Sequence, residues 1–138
     1  MNCACSETED LIRLYYEAFN QGDRPGMLRL LSGEVVHDIN QGDRVVGTDA
    51  FAQFLVHMDK CYGEQVEDLV VLVNDKGDRA AAEFFIRGEY LATDEGLPPA
   101  NGQTYHLRVG AFFEIAEGRI ARVTNYYNMP DWIRQVGG

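Results

Sequence analysis

Residues Arg79–Asn128 decide the fold. They read RAAAEFFIRGEYLAT (Arg79–Thr93), DEGLPPANG (Asp94–Gly102), QTYHLRVGAFFEIA (Gln103–Ala116), Glu117-Gly118, and RIARVTNYYN (Arg119–Asn128). The three long runs are rich in aromatic and β-branched residues, and turn residues bound each of them, which is the pattern of strands. Glu117-Gly118 is a two-residue hairpin signal. At about 3.3 Å per residue these strands exceed the usual length, and strands that long bend around something.

Working outward, Val66–Asn74 reads as a further strand, joined to the set through Asp75–Asp78. The N-terminal half supplies the cover such a sheet needs. Ser6 and Glu9 fit a capping box, Leu11, Leu14, Tyr15, Ala18 and Phe19 recur at helical spacing, and Gly22 stops that helix. Asp23 caps a short helix over Arg24–Leu31 with Pro25 in its first turn. Thr48 caps a third helix that places Phe51, Phe54, Leu55, Met58 and Tyr62 on one side and ends at Gly63. Between them Glu34–Gln41 alternates: Val35, His37 and Ile39 share one face, and Val36, Asp38 and Asn40 share the other. Residues 131–136 form a brief last helix, with Asn128 as its cap.

The expected fold class is α+β. A cone-shaped, curved, mixed or antiparallel sheet packs against three N-terminal helices (a cystatin-like α+β barrel), as one domain over residues 1–138 with residues 1–6 as a disordered tail. A chain of 138 residues suits a single core, and the inside of such a cone is an apolar cavity suited to a small molecule.

Composition removes several function classes. With 12 Lys+Arg against 22 Asp+Glu the net charge is −10, and no cation cluster occurs, so neither nucleic acid nor an anionic membrane is an expected partner. No apolar run approaches the roughly 20 residues that span a bilayer. The start, MNCACSETED, has no basic stretch followed by an apolar one, so a cytoplasmic setting is expected. Three cysteines, Cys3, Cys5 and Cys61, make no disulfide framework. His37, His57 and His106 form no metal motif and no glycine-rich phosphate loop occurs, so neither metal nor cofactor is expected.

The residues that carry chemistry are few. Asp38 and His37 are the best local acid–base pair, because a carboxylate inside an apolar cone has its pKa raised towards useful values; the plain alternative is that Asp38 is solvated at the strand edge while His37 packs in the wall. Tyr15 and Tyr105 are the phenols chosen to steady an oxyanion, with Tyr90 and Tyr127 as further cavity candidates. Asn40 and Asn125 would orient a ligand or a water, and Phe54 and Met58 would contact it. Glu83, Arg87 and Glu89 share a face that reads as a solvated or dimer-facing ladder of charges.

The chain resembles the superfamily of nuclear transport factor two, ketosteroid isomerase and the SnoaL-like polyketide cyclases, from about Leu11 to Gly137. The likeness lies in Tyr15–Asp23 (YYEAFNQGD), Gly96–Gly102 (GLPPANG), Gly118-Arg119-Ile120 and Trp132–Gly137 (WIRQVG). It implies a tyrosine on the first helix as oxyanion donor, matched by Tyr15. It also implies an aspartate base on the first strand: Ile39 stands there in a gapless reading, and Asp38 after a slip of one residue. The isomerases' second acid falls near Ala111, and the cyclases' aspartate falls in the neighbourhood of Tyr105 and His106. The implied function is proton transfer next to a carbonyl on a hydrophobic substrate, by isomerisation or aldol-type cyclisation, in an isomerase, lyase or polyketide cyclase. A non-catalytic small-molecule-binding domain and a hydrolase with an activated water are the alternatives. A homodimer is implied too, and the loop Asp94–Gly102 is expected at the cavity mouth or the dimer contact.

Overall fold

A computed structural model describes residues 3–137. In chain order the elements are α1 (Ala4–Gln21), α2 (Arg24–Arg29), β1 (Leu31–Asp38), β2 (Arg44–Val46), α3 (Thr48–Cys61), β3 (Tyr62–Val73), β4 (Arg79–Tyr90), β5 (Thr104–Ala116), β6 (Arg119–Tyr127) and α4 (Met129–Gly137). The six strands make one sheet in the order β2-β1-β6-β5-β4-β3. All neighbours are antiparallel except β1 and β6, which run parallel. The sheet is curved and unclosed, and the helices pack against it.

The long strands alternate as a half-buried sheet must. Along β4, Ala80, Ala82, Phe84, Ile86, Gly88 and Tyr90 are buried, while Glu83, Arg87 and Glu89 face outward. On α1, Ile12, Tyr15 and Tyr16 are buried at helical spacing, and the Tyr16 ring lies 4.8 Å from that of Phe84. Each large apolar side chain so enclosed contributes about 1.5–3 kcal/mol. At Glu117-Gly118 both residues have positive φ, 53° and 72°, the turn that matches the twist of the flanking strands.

Several boundaries depart from the sequence reading. The capping-box reading of Ser6 fails because α1 begins at Ala4, and the Sγ of its N-cap Cys3 accepts from the Ser6 N–H at 3.3 Å. Ala4–Ser6 are therefore helical rather than a loose tail, and residues 1 and 2 of that expected tail lie outside the described residues. Cys3 is paired with Cys5 in a disulfide, leaving Cys61 as the free thiol. The N-cap of α3 is Gly47, and the Thr48 hydroxyl instead donates back to the carbonyls of Ser32 and Gly33 at 3.3 Å. Gly63 does not end a helix. The β3–β4 ladder pairs Tyr62 with Tyr90 and Gly63 with Glu89, which carries β3 to the last residue of α3. The strand β2 was not foreseen, since three residues are too few to show a period.

Aromatic rings close one end. Trp132 of α4 lies with its ring 5.0 Å from Tyr90 and 6.0 Å from Tyr62 and Tyr105, and Tyr62 stacks on Tyr90 at 5.5 Å. Gly88 makes this possible: a Cβ there would stand 2.2 Å from the Tyr105 ring. Gly88→Ala should displace that ring and destabilise the protein by about 1–3 kcal/mol, as overpacking does. A denaturation midpoint equal to that of the wild type would contradict the tight fit.

Candidate functional site

Between the curled sheet and the helices lies a cavity of about 440 Å³ with a mainly apolar lining, a size suited to a small organic molecule. The alternation of β1 buries Val35 and His37 on one face; His37 lines the cavity, and so does Ile39 just beyond the strand. His37 is 1% exposed. Its ring packs between Phe51 and Phe54, at 4.5 and 4.6 Å. Its Nδ1 has no hydrogen-bond partner among the described residues. Burial disfavours the imidazolium and lowers its pKa to about 4, against the opposing pull of the Asp38 charge. His37 is thus a neutral imidazole in an apolar wall.

Asp38 was expected inside as the base. It lies on the opposite face of β1, because neighbouring strand residues point to opposite sides. Its carboxylate accepts from Arg44 Nε at 2.6 Å and Nη2 at 3.0 Å, and from the Thr124 hydroxyl at 2.6 Å. These bonds hold its pKa down to about 2. The Thr124 hydroxyl also accepts from Arg122 Nη1 at 2.6 Å, and Arg122 pairs with Glu114. Asp38 is an ionised member of an outer polar chain.

The phenols divide in the same way. Tyr15 lines the cavity, and burial raises its pKa. Tyr127 lines it too, again with its pKa raised chiefly by burial. Tyr105 and Tyr90 are not part of the lining. The Tyr105 hydroxyl is engaged behind the wall, donating to Glu64 at 2.5 Å. The Tyr90 hydroxyl donates to the Pro98 carbonyl at 2.7 Å and accepts from the Asp94 N–H at 3.0 Å, so it serves the loop. Asn40 lines the cavity, yet its amide is committed to the Tyr127 backbone, donating at 3.1 Å and accepting at 3.3 Å. Asn125 also lines it from the β5–β6 ladder, and its side-chain amide has no hydrogen-bond partner among the described residues. Phe54 and Met58 line the cavity as well.

Two groups were not anticipated. Glu64 lines the cavity from β3, and burial raises its pKa against the lowering effects of the Tyr105 hydroxyl and the Arg24 charge. Tyr62, Glu64 and Val66 share the inner face of β3, a pattern visible in the sequence once the strand starts at Tyr62 instead of Val66. At the rim, Asp94 accepts from the Tyr62 hydroxyl at 2.7 Å, and its other oxygen lies 2.9 Å from His57 Nε2. Asp94 and Leu97 line the cavity, which puts the Asp94–Gly102 loop at its edge.

A family model described as the SnoaL-like domain matches residues 12–123. The chain belongs to the SnoaL-like domain family. Among solved structures, this SnoaL-like chain is similar to a proposed polyketide cyclase from Pseudomonas putida, with 56% identity, 99% of each chain covered and a TM-score of 0.92. It is also similar to a proposed polyketide cyclase from Xanthomonas campestris, with 52% identity, 96% and 98% of the two chains covered and a TM-score of 0.93. An epoxide hydrolase of M. tuberculosis, 17% identical, shares the cone fold, with a TM-score of 0.78 over 99% and 89% of the two chains. No curated protein matches the sequence. No helix among the described residues is long and apolar enough to cross a membrane.

The buried imidazole links stability to pH. With a folded pKa of about 4 against an ordinary 6.5, the unfolded chain binds the extra proton between those values. The contribution of His37 is therefore complete above pH 6.5 and falls as the pH drops towards 4, by roughly 3 kcal/mol in all. His37→Leu should flatten that part of the stability–pH curve. An unchanged slope in urea titrations across this window would contradict the assignment.

Proposed function

We propose that this SnoaL-like protein is a small-molecule enzyme that moves a proton next to a carbonyl on a hydrophobic substrate held in the cone. The observation that carries the reading is His37: an unprotonated imidazole with an unpartnered nitrogen, set in an apolar cavity. Buried polar groups ordinarily find partners, and an orphan of this kind suits a site whose partner is the ligand. In the proposed mechanism the substrate's apolar body lies against Phe54 and Met58, and His37 accepts the α-proton. The negative charge that develops on the carbonyl oxygen takes a hydrogen bond from the Tyr15 phenol or the free Asn125 amide. A phenol with a raised pKa stays protonated and remains a donor through neutral pH. In isomerisation His37 returns the same proton to the new carbon, and Glu64, which accepts from the Tyr105 hydroxyl, is a second acid–base group at the cavity wall. Isomerisation and aldol-type cyclisation share this enolate step, and the resemblance of the chain to proposed polyketide cyclases supports the second.

Asp38 has no direct part in this mechanism. Its ion pair with Arg44 anchors β1 against β2, and through Thr124 it ties β1 to β6, which fixes the side to which His37 points. The outer sheet face is the proposed homodimer contact. Phe112 and Tyr126 stand exposed on it with ring centroids 5.9 Å apart. Sedimentation velocity should show a dimer, and a monomer at working concentration would remove this part of the reading.

Deuterium exchange at the α-carbon of a bound cyclic ketone tests the chemistry. His37→Gln should slow exchange by about 100-fold or more, while Asp38→Asn should exchange near the wild-type rate and unfold at a lower temperature. In kcat/KM the basic group should titrate at about 4 rather than near 6.5. Exchange that survives His37→Gln and collapses in Asp38→Asn would overturn the assignment. Tight ligand binding with no exchange in the wild type would make the protein a receptor.

A further inference from the structure

At the cavity rim the last turn of α3 and the start of the β4–β5 loop bring together three side chains that the proton-transfer chemistry leaves unused. His57 and Cys61 are four apart on α3 and so project from one face. Asp94 meets them from the loop. One donor atom from each, an imidazole nitrogen, the Cys61 sulfur and an Asp94 oxygen, lie within 4.8 Å of one another.

Three features set this group apart from a chance meeting of polar residues. The first is the donor set, since imidazole, thiolate and carboxylate together are the ligands of zinc-class ions. The second is support behind the donors. The Asp94 oxygen not facing His57 accepts from the Tyr62 phenol at 2.7 Å, and the Asp94 N–H donates to the Tyr90 hydroxyl at 3.0 Å. Hydrogen bonds of that kind aim a metal-ligating carboxylate. The third is charge. A thiolate and a carboxylate neutralise a divalent ion, so a cation beside the buried Cys61 sulfur would add no uncompensated charge to the interior. At bond lengths of about 2.0–2.3 Å, tetrahedral donors stand closer together than 4.8 Å, so ion binding draws the three donors together.

We propose that His57, Cys61 and Asp94 bind one zinc-class divalent cation at the cavity rim. Three protein ligands leave a fourth coordination position. His57 and Asp94 line the cavity, so that position is available to an oxygen anion of the molecule held inside, a carboxylate or an enolate. Metal binding displaces the Cys61 thiol proton, which passes to solvent. The proposal does not rest on the role of His37, because metal uptake is measured without substrate.

Cobalt(II) is the probe. In the full-length protein carrying Cys3→Ser and Cys5→Ser, Cys61 is the only remaining thiol. That protein should take up one cobalt per chain, with a near-ultraviolet thiolate-to-cobalt charge-transfer band and strong visible bands of tetrahedral geometry. Zinc should abolish both. Cys61→Ser should remove the charge-transfer band. His57→Ala and Asp94→Asn, which alter residues on the rim and leave the core packing alone, should each weaken binding by at least about 100-fold, and Tyr62→Phe by about 10-fold. Absence of the charge-transfer band in the parent protein would overturn the site. So would cobalt binding that all three ligand substitutions leave unchanged, in which case the group is a hydrogen-bonded clasp between α3 and the loop.

Discussion

The two-residue period of β1 is the constraint on which the site depends. Adjacent residues of a strand cannot point to the same side, so turning His37 inward sends Asp38 out. The surroundings reinforce that choice from both faces. Inside, Phe51 and Phe54 hold a neutral ring; outside, Arg44 and Thr124 hold an anion. Slipping the strand by one residue would bury a carboxylate among aromatic rings and break a bidentate ion pair, and both changes are costly. The register is therefore fixed electrostatically as well as by packing.

Curvature does the rest. β1 and β3 stand far apart in the sheet order, with β6, β5 and β4 between them, yet both line one cavity. Bending brings His37 from one side of the sheet and Glu64 from the other to a common space. Burial acts oppositely on the two, lowering the pKa of the imidazole and raising that of the carboxyl, because it penalises whichever form is charged.

Long strands, helix faces and the Glu117-Gly118 turn were legible in the sequence because each follows a local period or a local dihedral demand. The cone and the grouping of Val35, His37 and Ile39 on one face also follow from that reading, but the choice of that face as the inner one does not. Alternation sorts residues into two faces without saying which is wet, and Asp38 gained its place from Arg44 on a three-residue strand too short to read. Glu64 was hidden by Gly63, a residue that ordinarily stops a helix or interrupts a strand, and here the ladder to β4 overrides that signal. Tyr105 and Tyr90 carry the right chemistry at inward positions, but the Tyr105 hydroxyl is taken by Glu64, distant in sequence, and that of Tyr90 by the loop at Pro98, whose path no local period reports. The rim group of His57, Cys61 and Asp94 joins a helix to a loop 33 residues beyond Cys61 (94 − 61), a distance at which no spacing motif operates.

The most direct test of the inward imidazole is nitrogen-15 NMR of the His37 ring, assigned by its loss in a His37 variant. The account predicts a neutral tautomer that persists as the pH is lowered towards about 4, with ring shifts that move when an apolar ketone fills the cavity. A His37 ring that is already protonated at neutral pH, and indifferent to such a ligand, would contradict it.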